Sequence, residues 1–493
     1  MWSTARSRSR STAHLVSGWR QASLGHRGDT SSVARCALRV ARRRKDFNLG
    51  DTEAWRWRGR STGISRRICH PEPGTRNAER GTRNAQRATR NAQPPMWLSQ
   101  LTLVNFRNFR ALRLEPQPGL LLFSGPNGQG KTNLLEAVYV LATTRSPRTS
   151  VERELLCWRP AEDADLAAVV PPFARLESRV RRRDGEVHLE LTFEAERAGN
   201  NGATPGAVTR GIKVNGLATR ATGLVGQLPV VYFSPGDVDL AGGPPAGRRQ
   251  YLNLANSQAS PSHLRALQRY NRVLLQRNQV LRLVRERRQS SSALEPWTEQ
   301  MVEWGAQILR QRLAMVSDVD RRIAGIFRDL AGTSETLRVV YRSTVCDTST
   351  DTVALIESFR ERQATMGARE VDQAVSLVGP HRDDFTFYLD GVDLNTYGSR
   401  GQQRLAVLAL KLAEADWMRD EIGELPVVLL DDVLSELDPQ RREYVLRRVA
   451  QPEASQQRQV WITSTEANEH WQTHDLLRAA QRYLIDAGRV RTA

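Results

Sequence analysis

The stretch Gly125-Pro-Asn-Gly-Gln-Gly-Lys-Thr132 decides the fold of this 493-residue chain. Its spacing is GxxxxGK(S/T), in which repeated glycines let backbone N–H groups turn inward around a phosphate. The run 119–124 before it is apolar and predicts a buried strand, and the apolar residues after it recur at helical spacing. The sequence therefore predicts a phosphate-binding loop between a strand and a helix.

The chemistry of this loop predicts which groups of a nucleotide it binds. Lys131 is long enough to reach the β- and γ-phosphate oxygens of ATP, and the Thr132 hydroxyl can bind Mg²⁺. The helix that begins near Lys131 directs its positive end toward the same phosphates. The residues expected to contact ATP here are Gly125, Pro126, Asn127, Gly128, Gln129, Gly130, Lys131 and Thr132.

A second motif lies near the C-terminus. The apolar run 425–430 predicts a strand buried on both faces, as in a parallel sheet, and Asp431 and Asp432 follow it. Ligands of open α/β sheets bind at the carboxyl ends of the strands. We therefore predict that Asp431 is a Mg²⁺ ligand and that Asp432 is the catalytic residue, which orients or polarises the attacking water. The alternative is an ordinary turn at the end of a strand.

The segment Tyr397-Gly-Ser-Arg-Gly-Gln-Gln-Arg404 leads into a further helical pattern. Ser399 and Gly401 at a helix start form another anion-binding end. Because one ATP already has its own phosphate loop, this second motif indicates a site that is completed across a dimer. The alternative is that Ser399 serves as a helix cap alone.

Together these motifs resemble the ABC-type ATPase heads of the SMC/Rad50 class. The matching segments are Asn105-Phe-Arg107, the phosphate loop with Asn133, Ser399-Arg-Gly-Gln-Gln403, and Leu429-Leu-Asp-Asp432 with Ser435-Glu-Leu-Asp438. The resemblance implies an α/β fold, and it adds Arg107 and Gln402 to the residues expected to contact the nucleotide. Ser464 stands where many transporter proteins of this kind have a switch histidine, so no histidine switch is assigned.

Other stretches resemble the RecF family of bacterial recombination mediators, over essentially all of residues 96–493. They are Phe233-Ser-Pro-Gly-Asp237, Gly243-Pro-Pro-Ala-Gly-Arg-Arg249, Gln276-Arg-Asn278 and Gly379-Pro-His-Arg-Asp-Asp384. His381 is either a structural hydrogen-bonding residue or part of a loop near the nucleotide or the dimer seam. Arg400 stands where the family usually has Gln, and Asn253 where it usually has Asp, which removes a carboxylate that could have paired with an arginine.

The RecF resemblance implies an ATP-dependent DNA-binding protein of recombinational repair. Such a protein would bind ATP and Mg²⁺ and dimerise around two nucleotides. It would then clamp single- and double-stranded DNA at gaps or stalled forks. Weak, DNA-dependent ATP hydrolysis would act as a switch that reopens the dimer. The resemblance also implies RecR, RecO and RecA as partners, roles in DNA replication and the SOS response, and a cytoplasmic, nucleoid-associated location.

The chain between the phosphate loop and Ser399 is far longer than a minimal nucleotide domain needs, so an insertion is expected. Apolar and Asn residues from Leu264 to Leu281 step by three and four positions, which predicts the a/d seam of one helix. The period restarts at Trp297 after a turn, so we expect an ABC-type P-loop ATPase head with an inserted helical arm that is antiparallel and coiled-coil-like. The expected domains are 96–240 and 375–493 for the head and 241–374 for the arm.

Residues 265–288 hold eight arginines and one glutamate. A stripe of this kind suits DNA phosphates, and the alternative is an ordinary solvated helix face. Arg248 and Arg249 are candidates for the same surface. No helix-turn-helix or zinc-finger pattern occurs in the sequence, so sequence-specific reading of DNA is not expected.

Most of the net charge of +18 belongs to residues 1–95, which hold 21 of the 72 Lys and Arg residues and 6 of the 54 Asp and Glu residues. Low hydrophobicity with high net charge predicts a disordered basic extension. The segment repeats Thr-Arg-Asn-Ala every seven residues from Thr75. It fits a transit peptide, a basic nucleic-acid tail or, as we expect, a mis-assigned start upstream of an initiator at Met96.

Composition and spacing exclude several classes of protein. Hydrophobic residues make up 40% of the chain, which excludes a wholly disordered protein. No apolar run reaches the roughly 20 residues of a membrane span, and the four cysteines form no CxxC pair. Two alternatives share the ATP motifs. An ABC transporter ATP-binding subunit would have a shorter insertion and no basic arm, and an SMC/Rad50-type DNA tether would have a much longer arm.

Overall fold

The computed structural model describes residues 96–157, 172–195, 207–346, 351–450, 457–465 and 475–493. The basic extension expected over residues 1–95 lies outside these ranges. Within the ranges, every helix is too short or too polar to cross a membrane.

The described strands are numbered in chain order. They are β1 (Trp97–Phe106), β2 (Phe109–Leu114), β3 (Leu120–Ser124), β4 (Phe173–Arg182), β5 (Gly185–Ala195), β6 (Val208–Val214), β7 (Leu217–Ala218), β8 (Val230–Phe233), β9 (Leu337–Arg342), β10 (Asp384–Leu389), β11 (Val392–Asp393), β12 (Val427–Asp431), β13 (Val460–Ser464), β14 (Gln481–Asp486) and β15 (Arg489–Thr492).

The described helices are numbered in the same way. They are α1 (Lys131–Thr143), α2 (Ala221–Leu224), α3 (Asp239–Gly242), α4 (Pro245–Ala259), α5 (Pro261–Arg285), α6 (Glu295–Ala331), α7 (Thr352–Gln373), α8 (Leu394–Tyr397), α9 (Arg400–Ile422), α10 (Pro439–Ala450) and α11 (Asp475–Arg478). Short 3-10 turns occur at Glu152–Leu155, Pro235–Val238, Ser291–Leu294 and Leu434–Glu436.

A six-stranded sheet carries the two nucleotide motifs. Its order is β15-β14-β3-β13-β12-β8, and its pairings are parallel except that of β14 with β15. All residues of β3, β12 and β13 are buried, which explains why these strands read as continuous apolar runs. Because only β13 separates β3 from β12, the two motifs that follow these strands lie at the same edge of the sheet.

A second, antiparallel sheet has the order β2-β1-β4-β5-β6-β7. Helix α1 contacts strands of both sheets and therefore lies between them. Adjacent residues of β3 face opposite cores: Phe123 packs with α1 and the antiparallel sheet, whereas Leu122 packs with the long helices and α9. The parallel sheet thus forms the wall between two hydrophobic cores.

Helices α5 and α6 form the predicted antiparallel pair. His263 Nδ1 lies 2.7 Å from Gln311 Oε1, and Arg277 Nε donates to Thr298 Oγ1 at 3.0 Å, so rising numbers on α5 meet falling numbers on α6. Helix α7 packs on both helices, and α6 also contacts α9 and β9. The inserted helices therefore form a bundle that shares the core of the parallel sheet.

The seam predicted for α5 is wrong by one position over most of its length. The fully buried residues of this helix are His263, Ala266, Tyr270, Val273, Arg277 and Leu281. Polar side chains at three of these positions have partners on neighbouring elements, so they are tolerated in the interior. The leucine pattern followed a flank of the helix that is only half-buried, at Leu264, Leu267 and Leu274.

A third sheet has the order β11-β10-β9. Strand β9 pairs antiparallel with β10, from Leu337 opposite Leu389 to Arg342 opposite Asp384. This pairing crosses the boundary expected between residues 374 and 375, so one strand of the expected arm and the beginning of the second head segment share one sheet.

Candidate nucleotide-binding site

The phosphate loop joins β3 to α1 in a conformation that requires glycine. Gly130 caps α1 with φ of 114°, and a Cβ there would lie 2.5 Å from Asn108 Nδ2. A Cβ on Gly125 would lie 2.3 Å from the carbonyl oxygen of Ile485. The cap supplies no side-chain hydrogen bond to the first turn of α1. The N–H groups of that turn therefore remain available to an anion.

Hydrogen bonds from outside the loop support its shape. Asn108 Nδ2 donates to the carbonyl of Gln129 at 2.8 Å, and Asn133 Nδ2 donates to Asn108 Oδ1 at 2.8 Å. The Gln129 side chain accepts from the backbone N–H of Ala487 at 2.7 Å. The side chain of Gln129 therefore faces the turn between β14 and β15. Its backbone N–H is the group of this residue that can donate to a phosphate.

Lys131 lies within the loop that it is expected to serve. Its Nζ donates to the carbonyls of Gly125 at 2.6 Å and Pro126 at 2.9 Å. Burial lowers the pKa of Lys131, while the charges of Asp432 and Asp431 act in the opposite direction. A bound phosphate would replace the two carbonyls as the partner of this ammonium group, and it would also stabilise the charged form.

Asp431 accepts hydrogen bonds from three directions. Thr132 Oγ1 donates to Asp431 Oδ1 at 3.0 Å, which joins the phosphate loop to the end of β12. Thr463 Oγ1 donates to the same oxygen at 2.9 Å, and Tyr232 donates to Oδ2 at 2.9 Å. Burial raises the pKa of Asp431, although these donors favour the charged form.

The sequence reasoning missed Tyr232 and Thr463. Each lies near the carboxyl end of a strand next to β12: Tyr232 pairs with Leu429, and Thr463 pairs with Asp431. Each is a polar residue near the end of an otherwise apolar strand, and that pattern could have marked it as a candidate. The sequence does not show which strands lie beside β12, so neither residue could be assigned to Asp431. Short apolar runs do not specify strand order.

Asp432 combines backbone strain with an unpaired oxygen. Its φ is 55°, a left-handed value that is uncommon for a residue with a side chain. Its backbone N–H donates to Thr463 Oγ1 at 2.9 Å, whereas its Oδ1 is buried and has no hydrogen-bond partner among the described residues. Strain and an unpaired polar atom are tolerated at functional sites more often than elsewhere.

Ser399 caps α9, as expected if it serves as a helix cap, and it forms a capping box with Gln402. Its Oγ accepts from the N–H of Gln402 at 3.2 Å, and the Gln402 side chain accepts from the N–H of Ser399 at 3.0 Å. Ser399 and Gly401 are exposed. The cap does not compete with the expected role across a dimer, because the first turn of α9 is open to solvent.

Arg107 is buried behind the loop. Its Nε and Nη2 donate to the two carboxylate oxygens of Glu136 at 3.0 and 2.7 Å, and its Nη1 donates to the carbonyl of Glu154 at 2.7 Å. Glu136 belongs to α1 and is fully buried. These contacts hold the residue that follows β1 against α1. Contact of Arg107 with the nucleotide stays a prediction.

Comparison with known proteins identifies the family. Residues 97–483 match the family "RecF/RecN/SMC N terminal domain". A DNA replication and repair protein RecF of Chloroflexus aurantiacus is 40% identical over 401 residues, which cover 80% of this chain and 99% of the relative. The chain belongs to the RecF family. The RecF protein of Listeria welshimeri is 36% identical over 80% of this chain and its own full length.

A solved structure of the recombination mediator protein RecF with ATP, in the RecFOR pathway, is also similar. It is 29% identical with a TM-score of 0.70, and the match covers 82% of this chain and 99% of that one. The predicted fold class, an α/β ABC-type ATPase head with inserted helices, is therefore confirmed.

The RecF-like stretches of the sequence fasten the helices to the head. Arg248 donates to both carboxylate oxygens of Asp384 at 2.7 Å, and it is buried, so it does not belong to a DNA-facing surface. Asn278 Oδ1 accepts from the N–H and the hydroxyl of Ser376, both at 2.8 Å. These contacts hold the loop that contains His381 against α5.

His381 is a structural hydrogen-bonding residue in this RecF-family chain. Its Nε2 lies 3.0 Å from the carbonyl of Ser376, which can only accept, so Nε2 carries the proton and Nδ1 accepts from Tyr270 at 2.7 Å. Burial lowers the pKa of His381 to about 4. The ring is therefore neutral at neutral pH.

The arginine stripe on α5 is smaller than the sequence suggested. Arg277 is buried, and it donates to Glu370 Oε2 and to Ser376 Oγ, each at 2.7 Å. The seven exposed arginines are Arg265, Arg269, Arg272, Arg282, Arg285, Arg287 and Arg288. Arg265, Arg269 and Arg272 are spaced by four and three residues, so they share one face of the helix.

Proposed function

We propose that this chain is an ATP-dependent DNA-binding protein of recombinational repair. The observation that carries the proposal is the hydrogen bond from Thr132 to Asp431, because it brings the phosphate loop and the acidic strand end together at one sheet edge. Membership in the RecF family supports the same conclusion, since relatives are named DNA replication and repair proteins.

We propose that residues 125–132 bind the ATP phosphates. Lys131 would leave the carbonyls of Gly125 and Pro126 and pair with phosphate oxygens. The Thr132 hydroxyl and the Asp431 carboxylate fit Mg²⁺, which prefers oxygen ligands and is commonly bound by one or two protein groups together with substrate phosphates. When bound, the metal ion would neutralise charge on the phosphates, and Asp432 would orient or polarise the attacking water.

The exposed start of α9 supports ATP-dependent dimerisation. Ser399, Gly401 and Gln402 would meet the nucleotide of a second copy, where N–H groups of the first helical turn can bind phosphate oxygens. Tyr397 is 75% exposed beside them and could contact the second copy. Weak, DNA-dependent hydrolysis would then reopen the dimer.

The remaining assignments follow from family membership. Residues 96–240 and 375–493 would act as the head, and residues 241–374 as the arm whose arginines contact single- and double-stranded DNA. RecR, RecO and RecA would be the partners, and the cytoplasmic nucleoid would be the place of action.

The variant Lys131→Met tests the proposal. It removes the ammonium group and keeps most of the side-chain length, so we expect ATP affinity to fall at least about tenfold, the loss of one charge-assisted hydrogen bond. ATP-dependent retention of gapped DNA should be lost with it. Fluorescent ATP titration and DNA filter binding measure the two effects, and Lys213→Met, which removes a half-exposed lysine from β6, is the control. Unchanged ATP affinity and DNA retention would remove Lys131 from the site.

A further inference from the structure

A cavity lies away from the phosphate loop. It has a volume of about 840 Å³ and lies between the segment that follows α1, the helices α4, α5 and α6, and the loop that contains His381. Five arginines and one glutamate line it among the described residues: Arg145, Arg148, Arg210, Arg249, Arg312 and Glu152. A cavity with this charge balance favours an anionic ligand.

Two of these arginines lie close enough for their charges to repel each other. Arg145 is exposed and has no ion-pair partner among the described residues. Arg210 pairs with Glu152, and burial together with the charge of Arg145 lowers its pKa. An anion placed between the two guanidinium groups would relieve their mutual repulsion.

Arg312 places a buried guanidinium group in the wall of the cavity. It is 2% exposed, and its Nε has no hydrogen-bond partner among the described residues. Its Nη2 donates to Asn253 Oδ1 at 2.6 Å, so a neutral amide stands where a carboxylate would have formed an ion pair. Its connection to Asp383 runs through the Tyr341 hydroxyl, at 3.3 Å from Nη1. Its Nη1 also donates to the carbonyl of Pro380 at 2.7 Å. Arg312 thus has no direct ion pair among the described residues, and it adds a positive charge to the wall of the cavity.

Part of the wall is apolar. The half-buried Leu264 and Leu267 of α5 line the cavity together with Leu254 and Ile308. These leucines of α5 belong to the periodic set that the sequence assigned to a helix–helix seam, and their position on a cavity wall explains why they are not fully buried. A wall of this kind suits the flat, weakly polar face of a nucleobase.

We infer that this cavity binds a nucleoside phosphate unit, which is presented by a single nucleic-acid strand. The arginines would contact the phosphodiester, and the leucine wall would contact the base. The volume is of the size that encloses one small ligand, so it admits one or two nucleotides and no duplex. The identification of the strand as DNA rests on the proposed function.

The cavity is linked to the phosphate loop through side chains. Arg148 Nη1 donates to Asn133 Oδ1 at 2.8 Å, and Asn133 donates to Asn108, which in turn donates to the carbonyl of Gln129. A strand that contacts Arg148 would therefore act on the same hydrogen bonds that shape the ATP loop.

The test uses the full chain with ATP and a fluorescent (dT)10 oligonucleotide. The double variant Arg145→Glu/Arg249→Gln should lower affinity for the oligonucleotide at least about fivefold, and it should reduce the slope of log affinity against log salt by roughly 0.7 for each phosphate that is no longer neutralised. ATP affinity should stay within about twofold of the parent. The matched control is Arg321→Glu/Arg328→Gln on α6, which changes charge equally at exposed positions outside the cavity.

A second measurement covers the case in which the variant folds poorly. Photo-crosslinking of the parent with 4-thio-dT in the oligonucleotide should label peptides from residues 143–150 or 264–271, and thymidine monophosphate in excess tests a free nucleotide as the source of the ligand. If the monophosphate competes, the cavity binds a nucleoside phosphate that a free nucleotide can supply. If it does not compete, binding requires the nucleic-acid strand. Parent-like affinity and salt slope in the double variant, or crosslinks confined to other peptides, would overturn the inference. If the parent with ATP binds no DNA at all, the proposed function fails first.

Discussion

At the scale of the residue, Asp432 combines a buried oxygen that has no hydrogen-bond partner among the described residues with a left-handed backbone. A buried oxygen without a partner costs about 1–3 kcal/mol, and the left-handed backbone at φ of 55° adds to that cost. Its neighbour Asp431 is satisfied by Thr132, Thr463 and Tyr232. Two adjacent aspartates with such different surroundings are suited to different roles, metal binding for one and water activation for the other.

The variant Asp432→Asn separates binding from hydrolysis. The amide keeps the shape of the side chain but removes its basicity, so ATP affinity should stay within about twofold while turnover falls roughly 100-fold or more, the usual contribution of a general base. The ATP-bound dimer should then accumulate, which light scattering detects. Asp420→Asn, an exposed position paired with Arg322, is the control. Parent-like turnover would contradict the assignment.

His381 makes a pH-dependent contribution to stability. Burial lowers its pKa to about 4, below the ordinary 6.5, so the unfolded chain takes up a proton at a higher pH than the folded chain does. Its contribution is complete above pH 6.5 and is lost as the pH falls toward 4. Between pH 7 and pH 5 the loss from this one group should be about 2 kcal/mol.

The measurement compares urea unfolding of the parent and His381→Gln at both pH values. The variant should lose less stability than the parent on acidification. His263, whose pKa burial lowers to about 3, is present in both proteins and cancels in the comparison. Equal losses in the two proteins would show that His381 does not titrate in this way.

At the scale of the element, α5 serves a different neighbour on each face. Its buried face packs on α6 and α7, with Tyr270 and Arg277 bonded to the loop before β10. The leucine flank lines the arginine-rich cavity, and the exposed face carries Arg265, Arg269 and Arg272. One helix therefore provides a structural face, a cavity wall and a basic surface.

Reversing the exposed charges of α5 should weaken DNA binding without regard to DNA sequence. The triple variant Arg265→Glu/Arg269→Glu/Arg272→Glu removes cations that can neutralise up to three phosphates, so the slope of log affinity against log salt should shrink by roughly 0.9 for each duplex phosphate that is no longer neutralised. Binding to random duplexes at several salt concentrations measures this slope. ATP affinity should not change, because the phosphate loop lies in the head.

The matched control reverses three exposed arginines on α6, Arg310, Arg321 and Arg328. Arg269 also stacks over Trp304 with its guanidinium carbon 4.8 Å from the ring centroid, so unfolding of the triple variant must be checked by circular dichroism. If the α5 and α6 triple variants lower affinity and salt slope to the same degree, the α5 stripe is an ordinary solvated face.

At the scale of the whole molecule, the two parts of the proposed ATP site lie in two separate places on the described chain. The phosphate loop and Asp431 lie at the carboxyl edge of the parallel sheet, whereas Ser399 lies at an exposed helix start whose side-chain hydrogen bonds stay within its own cap. In the proposed symmetric dimer, the helix start at Ser399 of one copy would meet the phosphate loop of the other copy, and this contact would occur twice.

The variant Ser399→Arg tests that arrangement. A long side chain at the exposed helix start should block the approach of a second copy, so light scattering with ATP should show monomers only. Affinity of the single chain for ATP should stay within about twofold, because its own phosphate loop is unchanged. Val340→Arg, a substitution at a partly exposed position on β9, is the control. A variant that still forms dimers with ATP would contradict the shared site.

The sequence by itself determined the features that depend on covalent spacing. The phosphate loop, the two fully buried strands and the acidic pair were predicted because a loop of eight residues or a buried strand is specified within its own segment. The missing carboxylate at Asn253 was also visible, and the structure shows that the arginine left without it is Arg312.

Only the tertiary structure decided which residues from distant segments meet. Tyr232 and Thr463 reach Asp431 because β8 and β13 flank β12, an order that short apolar strands do not encode. Arg277 looked like one charge in an exposed stripe, and it is buried because Glu370 and Ser376, about a hundred residues away, provide its partners. The cavity exists because separate helices and loops leave a space between them. Burial and pairing are properties of packing between elements, so the periodicity of one helix cannot specify them.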